Sequence, residues 1–241
     1  VYILASAVSV KDLIKRFGEK EAIKGITFEV MPGEIFGLVG PNGAGKTTTL
    51  RIIATLLKPT KGKVEVFGKD VVDQAEEVRR LISYLPEDAG AYPYMTGIEY
   101  LKFIASLYGV NEDYVSDGAE LSGLGDALQE RIKTYSKGMK RRLQVARTLM
   151  IRPKLAILDE PTSGIDVLYS LQLRNEIKKK SKEWGITILL SSHNMLEIEF
   201  LCDRVAFVHD GKIVNVGTPL ELIRKTNASN LEEAFMRSIS N

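Results

Sequence analysis

Cysteine is nearly missing from this chain. The lone Cys202 excludes an internal disulfide, and no Cys/His pairing has the spacing of a zinc site. This composition suits a reducing compartment. No apolar run reaches the roughly 18 residues that span a bilayer, so contact with a membrane has to come through a partner. The apolar start, Val1 to Val8, is short and lacks a basic leader and a cleavage site. It reads as a strand or a poorly ordered end, not as a signal peptide. Charge of one sign is also lacking. Lys and Arg number 33 against 31 Asp and Glu, a net charge of +2. That excludes a nucleic-acid binder driven by bulk charge and a strongly acidic scaffold. There is no internal repeat and no low-complexity tract.

What remains is a globular composition, 44% hydrophobic and 27% charged over 241 residues. A chain of this length buries a sizeable core and holds one large domain or a core with a subdomain. Ile26 to Val30 alternates loosely before the Pro32-Gly33 turn, and Ile35 to Val39 has the length of a buried strand. A glycine-rich loop follows, then a helical stretch from Thr47 to Leu57, then a strand from Val64 to Phe67. From about Glu87 to Met150 the pattern turns helical, with Ile98, Leu101, Ile104, Ala105 and Leu107 on one face. Ser136 to Met150 forms its last helix, with Leu143, Ala146, Leu149 and Met150 inward. Strand–helix alternation then resumes. Leu155 to Leu158 is a strand, Val167 to Glu183 a helix, and Thr187 to Ser192 a strand. Arg204 to His209 and Lys212 to Val216 form a hairpin about Asp210-Gly211. Two short helices close the chain. Lys178, Lys179, Lys180 and Lys182 read as a solvated helix end that complements the dipole. The alternation predicts a parallel α/β core with a helical insertion.

The glycine-rich loop is Gly40-Pro41-Asn42-Gly43-Ala44-Gly45-Lys46-Thr47-Thr48. Glycine, four residues, glycine, lysine and Ser/Thr is the P-loop pattern. Glycines let the backbone approach phosphate oxygens, and the following helix offers unpaired N–H groups at its positive end. Lys46 adds a point charge for the β- and γ-phosphates, and the Thr47 hydroxyl can ligate Mg²⁺. The run Leu155-Ala156-Ile157-Leu158-Asp159-Glu160 is a buried strand that delivers two acids to the carboxyl edge of a sheet, where ligands bind. Asp159 can hold Mg²⁺ through a water, and Glu160 can polarise an attacking water. The separation of 113 positions from Lys46 to Asp159 requires a long insertion.

Inside that insertion, Tyr135-Ser136-Lys137-Gly138-Met139 opens a helix 25 residues before Glu160. With the P-loop, the Asp159-Glu160 strand, Ser163-Gly164-Ile165-Asp166 and His193, the chain resembles the nucleotide-binding subunit of an ATP-binding-cassette transporter over nearly its whole length. The resemblance implies a P-loop NTPase core with an antiparallel β subdomain, and a helical subdomain at about 87–150. It implies an ATPase that takes ATP and Mg²⁺.

The family's roles carry over residue by residue. Phe17 falls where an aromatic stacks on adenine. Glu87, in Tyr84-Leu85-Pro86-Glu87, replaces the Gln that joins Mg²⁺ and the γ-phosphate to the helical subdomain. Ser136, Lys137, Gly138 and Met139 fall on the signature loop that caps a second subunit's nucleotide, with Lys137 and Met139 departing from the usual Gly and Gln. Ser163, Gly164 and Asp166 belong to the loop linking two sites of a dimer, and His193 is the switch histidine at the γ-phosphate. Similar Tyr-Ser-x-Gly-Met loops occur in drug- and peptide-export branches.

The resemblance further implies a homodimer or heterodimer of cassettes, separate transmembrane permease subunits, and a place on the cytoplasmic face of the cell membrane, with no nucleic acid. The aromatic segment Tyr92-Pro93-Tyr94-Met95 is expected to line the docking groove for the membrane subunit. The alternatives are a soluble ATPase scaffold of the same class and a nucleotide-sensing switch without turnover.

Overall fold

The computed structural model describes residues 5–240. The first four residues of the apolar start therefore lie outside the described residues. Its last residue, Val8, opens a strand.

Two sheets organise the chain. The first contains β1 (Val8–Phe17), β2 (Lys20–Val30), β4 (Lys61–Val66) and β5 (Lys69–Asp70), antiparallel in the order β2-β1-β4-β5. The second contains β3 (Ile35–Val39), β6 (Ile82–Leu85), β7 (Leu155–Asp159), β8 (Thr187–Ser192), β9 (Arg204–His209) and β10 (Lys212–Gly217), in the order β10-β9-β3-β8-β7-β6. Its pairings from β9 to β6 are parallel, and only β10 runs antiparallel to its neighbour. β3, β7 and β8 are buried along their whole length, and their apolar middles suit a parallel sheet covered on both faces.

One core fills the space between the sheets, where Phe28 stacks on Phe36 at 5.5 Å, and takes in Val78 of the short helix α2 (Ala75–Arg79). A second packs the other face of the parallel sheet against helices α5 (Lys137–Leu149), α6 (Val167–Trp184), α7 (Met195–Leu201), α8 (Pro219–Lys225) and α9 (Leu231–Ser240). A third lies within the insertion, among α3 (Gly97–Tyr108), α4 (Asp113–Ser122) and α5. Thr96 and Glu99 form a capping box at the start of α3, and Gly109 ends it in the left-handed region.

Four expectations need correction. The helix after the P-loop, α1 (Lys46–Ile53), stops before Leu57, because Thr55 turns left-handed at φ 64° and the Leu56 amide bonds back to Arg51. The strand expected at 64–67 runs Lys61–Val66, with Phe67 left-handed beyond it. Leu107 faces solvent, off the buried face of α3. The lysine run is only partly solvated. Lys180 is buried beside Trp184 and 3.2 Å from Glu183, and Lys178 donates to the Phe200 carbonyl at 2.8 Å. Long aliphatic stems cover apolar surface while the charged head finds a partner.

Candidate active site

The phosphate loop joins β3 to α1 at the carboxyl end of the parallel sheet. Its glycines are placed by sterics. Gly43 and Gly45 have φ of 81° and 104°, and a Cβ on Gly40 would collide with the Val208 carbonyl. The loop therefore curls tightly with its amides at the start of α1. Lys46 is buried and folds back on the loop, donating to the carbonyls of Gly40 (2.6 Å) and Pro41 (3.0 Å). Burial lowers its pKa, opposed by the fields of Glu160, Asp159 and Glu87. One cation thus faces three carboxylates before any phosphate arrives.

Phe17, Asn42, Gly43, Gly45, Lys46, Thr47, Thr48, Glu87 and Glu160 line one open cavity of about 510 Å³, with Lys20 and Ala22. Phe17 is half exposed at its rim, with Lys15 Nζ 4.9 Å from the ring centroid. Pro41 and Ala44 shape the loop, and Ala44 is buried. At the floor, Asp159 Oδ1 accepts from Thr47 Oγ1 at 3.2 Å and from Ser191 Oγ at 2.5 Å. Asp159 Oδ2 is buried with no hydrogen-bond partner among the described residues. An orphaned carboxylate oxygen beside a threonine hydroxyl is a donor set for a hard, oxygen-ligated cation.

Glu160 ends the strand in a left-handed conformation, φ 51°, of a kind that costs about 1–3 kcal/mol outside glycine. Its amide bonds to Ser191 of β8, and its Oε2 lies 2.9 Å from His193 Nδ1. The carboxylate is buried while the histidine is more than half exposed. β7 and β8 are paired neighbours, which is why residues 33 positions apart meet.

Ser136 to Met139 lie elsewhere. Ser136 caps α5, accepting from the Met139 amide at 3.1 Å, and shares a separate cavity of about 310 Å³ with Gly138, Met139, Ile165 and Asp166. A Cβ on Gly138 would lie 3.2 Å from the Gly164 carbonyl, and one on Gly164 would lie 3.0 Å from Lys137 Cδ. The Ser136 loop and the 163–166 loop are therefore neighbours, while neither Ser136 nor Gly138 lines the P-loop cavity. Tyr135 is buried in the helical core, with its hydroxyl on the Ala127 carbonyl. An anchoring role explains an aromatic at that position. Asp166 caps α6 through the Tyr169 amide.

Three residues of the site neighbourhood escaped the sequence reading. Ser191 orients Asp159. Glu197, buried in α7, accepts from Thr162 (2.8 Å) and Ser192 (2.6 Å), bridging the segments that carry Glu160 and His193. Arg141, buried in α5, binds only carbonyls. A serine at a strand end, an acid in a short helix and one arginine in a basic run give no local signal.

Comparison with known proteins agrees with this geometry. The family model described as ABC transporter matches residues 23–163. The linearmycin resistance ATP-binding protein LnrL of Bacillus subtilis is 36% identical over 95% of this chain and 77% of its own. The bacitracin transport ATP-binding protein BcrA of Bacillus licheniformis is 36% identical over 95% of this chain and 75% of its own. A solved structure of the ATP-binding subunit of an ABC transporter superposes with a TM-score of 0.87 at 30% identity, covering 97% of this chain and all of that one. With a phosphate loop, an acid-tipped neighbouring strand and these relatives along its length, the chain belongs to the ABC transporter family, as an ATP-binding and ATP-hydrolysing subunit.

Proposed function

We propose that ATP binds in the P-loop cavity with its phosphates on the loop amides and Lys46, and its adenine against Phe17. Mg²⁺ fits the Thr47 hydroxyl and the orphaned Asp159 oxygen, with Glu87 at the cavity wall. Nucleotide phosphates and water would complete the coordination of a hard cation held there. When bound, the cation supplies charge neutralisation on the phosphate oxygens.

Glu160 is the general base for the attacking water. His193 holds the carboxylate before nucleotide arrives and turns its imidazole to the γ-phosphate afterwards. The single observation carrying this reading is the buried Glu160 carboxylate in the wall of the P-loop cavity, 2.9 Å from His193. Ser136, Lys137, Gly138 and Met139 act on the ATP of a second cassette, which the separation of their loop from this chain's own cavity supports. Ser163, Gly164 and Asp166, packed against that loop, relay the state of one site to the other.

Residues 87–150 form the helical subdomain and the remainder the nucleotide-binding core. Cassettes of the family pair with each other and work with transporter membrane subunits. Separate permease subunits hold this chain at the cytoplasmic face; among the described residues no helix is long and apolar enough to cross a membrane. Relatives named for antibiotic transport and resistance favour an exporter.

Glu160→Gln tests the reading. The amide keeps the shape but cannot accept the proton, so ATP affinity should persist while turnover falls roughly 10²–10⁴-fold. Retained turnover in a phosphate-release assay would reject Glu160 as the base.

A further inference from the structure

Arg141 has no place in the nucleotide cavity, yet it is the most completely bonded side chain near it. All five of its N–H donors are used, and every acceptor is a backbone carbonyl. Nη2 serves Asp159 and Glu160, Nε serves Pro161 at 3.3 Å, and Nη1 serves Pro86 at 2.8 Å and Glu87 at 3.0 Å. The side chain is 6% exposed. Three consecutive carbonyls can turn to one cation only if the chain curls between them, and the left-handed Glu160 supplies that curl. The Glu160 amide is fixed on its other side by Ser191. The base is thus held at its nitrogen by the sheet and at its carbonyl by helix α5.

We propose that Arg141 is a positioning residue that sets the backbone of Glu160 and Glu87 and ties both to the helix carrying Ser136. The fork explains the residue type. A guanidinium presents five donors in one plane, whereas an ammonium presents three in a tetrahedron and leaves carbonyls unmet. Burial disfavours the Arg141 charge and lowers its pKa, and the carboxylates of Asp159, Glu87, Glu160 and Glu197 oppose that loss. The acidic floor of the site then lies between two cations, Lys46 on the nucleotide side and Arg141 behind. Ser136 stands five positions earlier on the same helix, so a shift of α5 on capture of a partner's nucleotide moves the carbonyls of this chain's own base.

This inference rests on Glu160 as the base, so Arg141→Met, Arg141→Lys and Glu160→Gln are measured together on the full chain. Affinity for a non-hydrolysable ATP analogue in both Arg141 variants should stay within about twofold of wild type, because no phosphate-binding group is touched. Turnover should fall about 10–100-fold, the scale of a misplaced catalytic group. Amide exchange should rise together at 86–90 and 159–163 and stay unchanged at 40–48. Arg141→Lys should not rescue, since the charge returns without the fork.

Wild-type turnover in Arg141→Lys would overturn the proposal, as would affinity and turnover falling in parallel, or exchange rising throughout the chain. If Arg141→Met does not fold, Arg141→Lys alone decides by the same readouts. If Glu160→Gln keeps its turnover, the assignment of the base has failed. If Glu160→Gln is inactive and the Arg141 variants are normal, only the present proposal has failed.

Discussion

Glu197 is a carboxylate at 1% exposure with two hydroxyl donors, Thr162 at 2.8 Å and Ser192 at 2.6 Å. Burial raises its pKa above the ordinary 4.5, and the field of Glu160 raises it further; the two hydroxyl bonds and Arg174 oppose the rise. The buried thiol of Cys202 is a further titratable neighbour, and its pKa is raised too, by burial first. Two substitutions should separate shape from charge. Glu197→Ala strands both hydroxyls and leaves a void. Each unsatisfied buried donor costs about 1–3 kcal/mol, so the loss should be roughly 2–6 kcal/mol. That is a large share of the ~5–15 kcal/mol that holds a typical domain. Glu197→Gln keeps the shape and one acceptor, and its amide can donate to the second hydroxyl. It should cost less than about 1 kcal/mol near neutral pH, because it keeps the hydrogen bonds and cannot carry the charge whose burial is disfavoured.

The pH dependence has a definite sign. A carboxyl whose folded pKa lies above its unfolded value contributes stability that is complete below the unfolded pKa and lost as pH rises through the folded one. Wild type should therefore lose ground to Glu197→Gln from about pH 4.5 upward, until the pH passes the raised pKa. Every tenfold difference in proton affinity between the folded and unfolded chain is worth about 1.4 kcal/mol. Urea denaturation of wild type and both variants between about pH 4 and 8 measures this. A difference between wild type and Glu197→Gln that stays constant over that range, or a Gln variant as damaged as the Ala variant, would refute the reasoning.

Two further outcomes are expected. Glu87 lines the P-loop cavity where the family usually has Gln. Opposed by phosphate and attracted by Mg²⁺, each at about 3 kcal/mol for ~6 Å and an effective dielectric of ~20, it should make ATP binding depend more steeply on Mg²⁺ than in Glu87→Gln, which should still hydrolyse. Titration with and without the metal checks this, and identical dependence would remove Glu87 from the resting site. Tyr94 is 76% exposed, whereas the Tyr92 ring packs 5.4 Å from Phe103. Tyr94→Ala should leave thermal stability and basal turnover unchanged and uncouple turnover from a membrane partner, while Tyr92→Ala should lower the melting temperature. A comparable melting loss for Tyr94→Ala would place that ring in the core.

The parts of the site legible in the sequence are those whose chemistry is local. Gly40 to Thr48 must curl and donate within nine residues, and Asp210-Gly211 must turn a hairpin within two, with φ of 46° and 76°. The strand ending in Asp159 and Glu160 is visible because a fully buried parallel strand is apolar without interruption. The hairpin of β1 and β2 is harder to read. Its register shifts three times, so charged and apolar residues do not alternate cleanly along Lys11 to Phe17. β6 and α7 span only four and seven residues and carry too few positions for a period to emerge.

Arg141 marks the limit of such reading. It sits in Lys137-Gly138-Met139-Lys140-Arg141-Arg142, where four cations in six residues look like a solvated helix start. Solvation is the ordinary fate of cations at that position, and a helix N-terminus disfavours positive charge. The cost is met by carbonyls from two distant segments, 55 and 18 residues away, that reach the arginine only after β6 and β7 have paired. The same holds for Glu197 and Thr162, 35 residues apart. Phosphate-binding groups can be recognised before the chain folds, because their partner is a ligand. The groups that aim the base have partners within the protein, so their roles follow from which strands become neighbours.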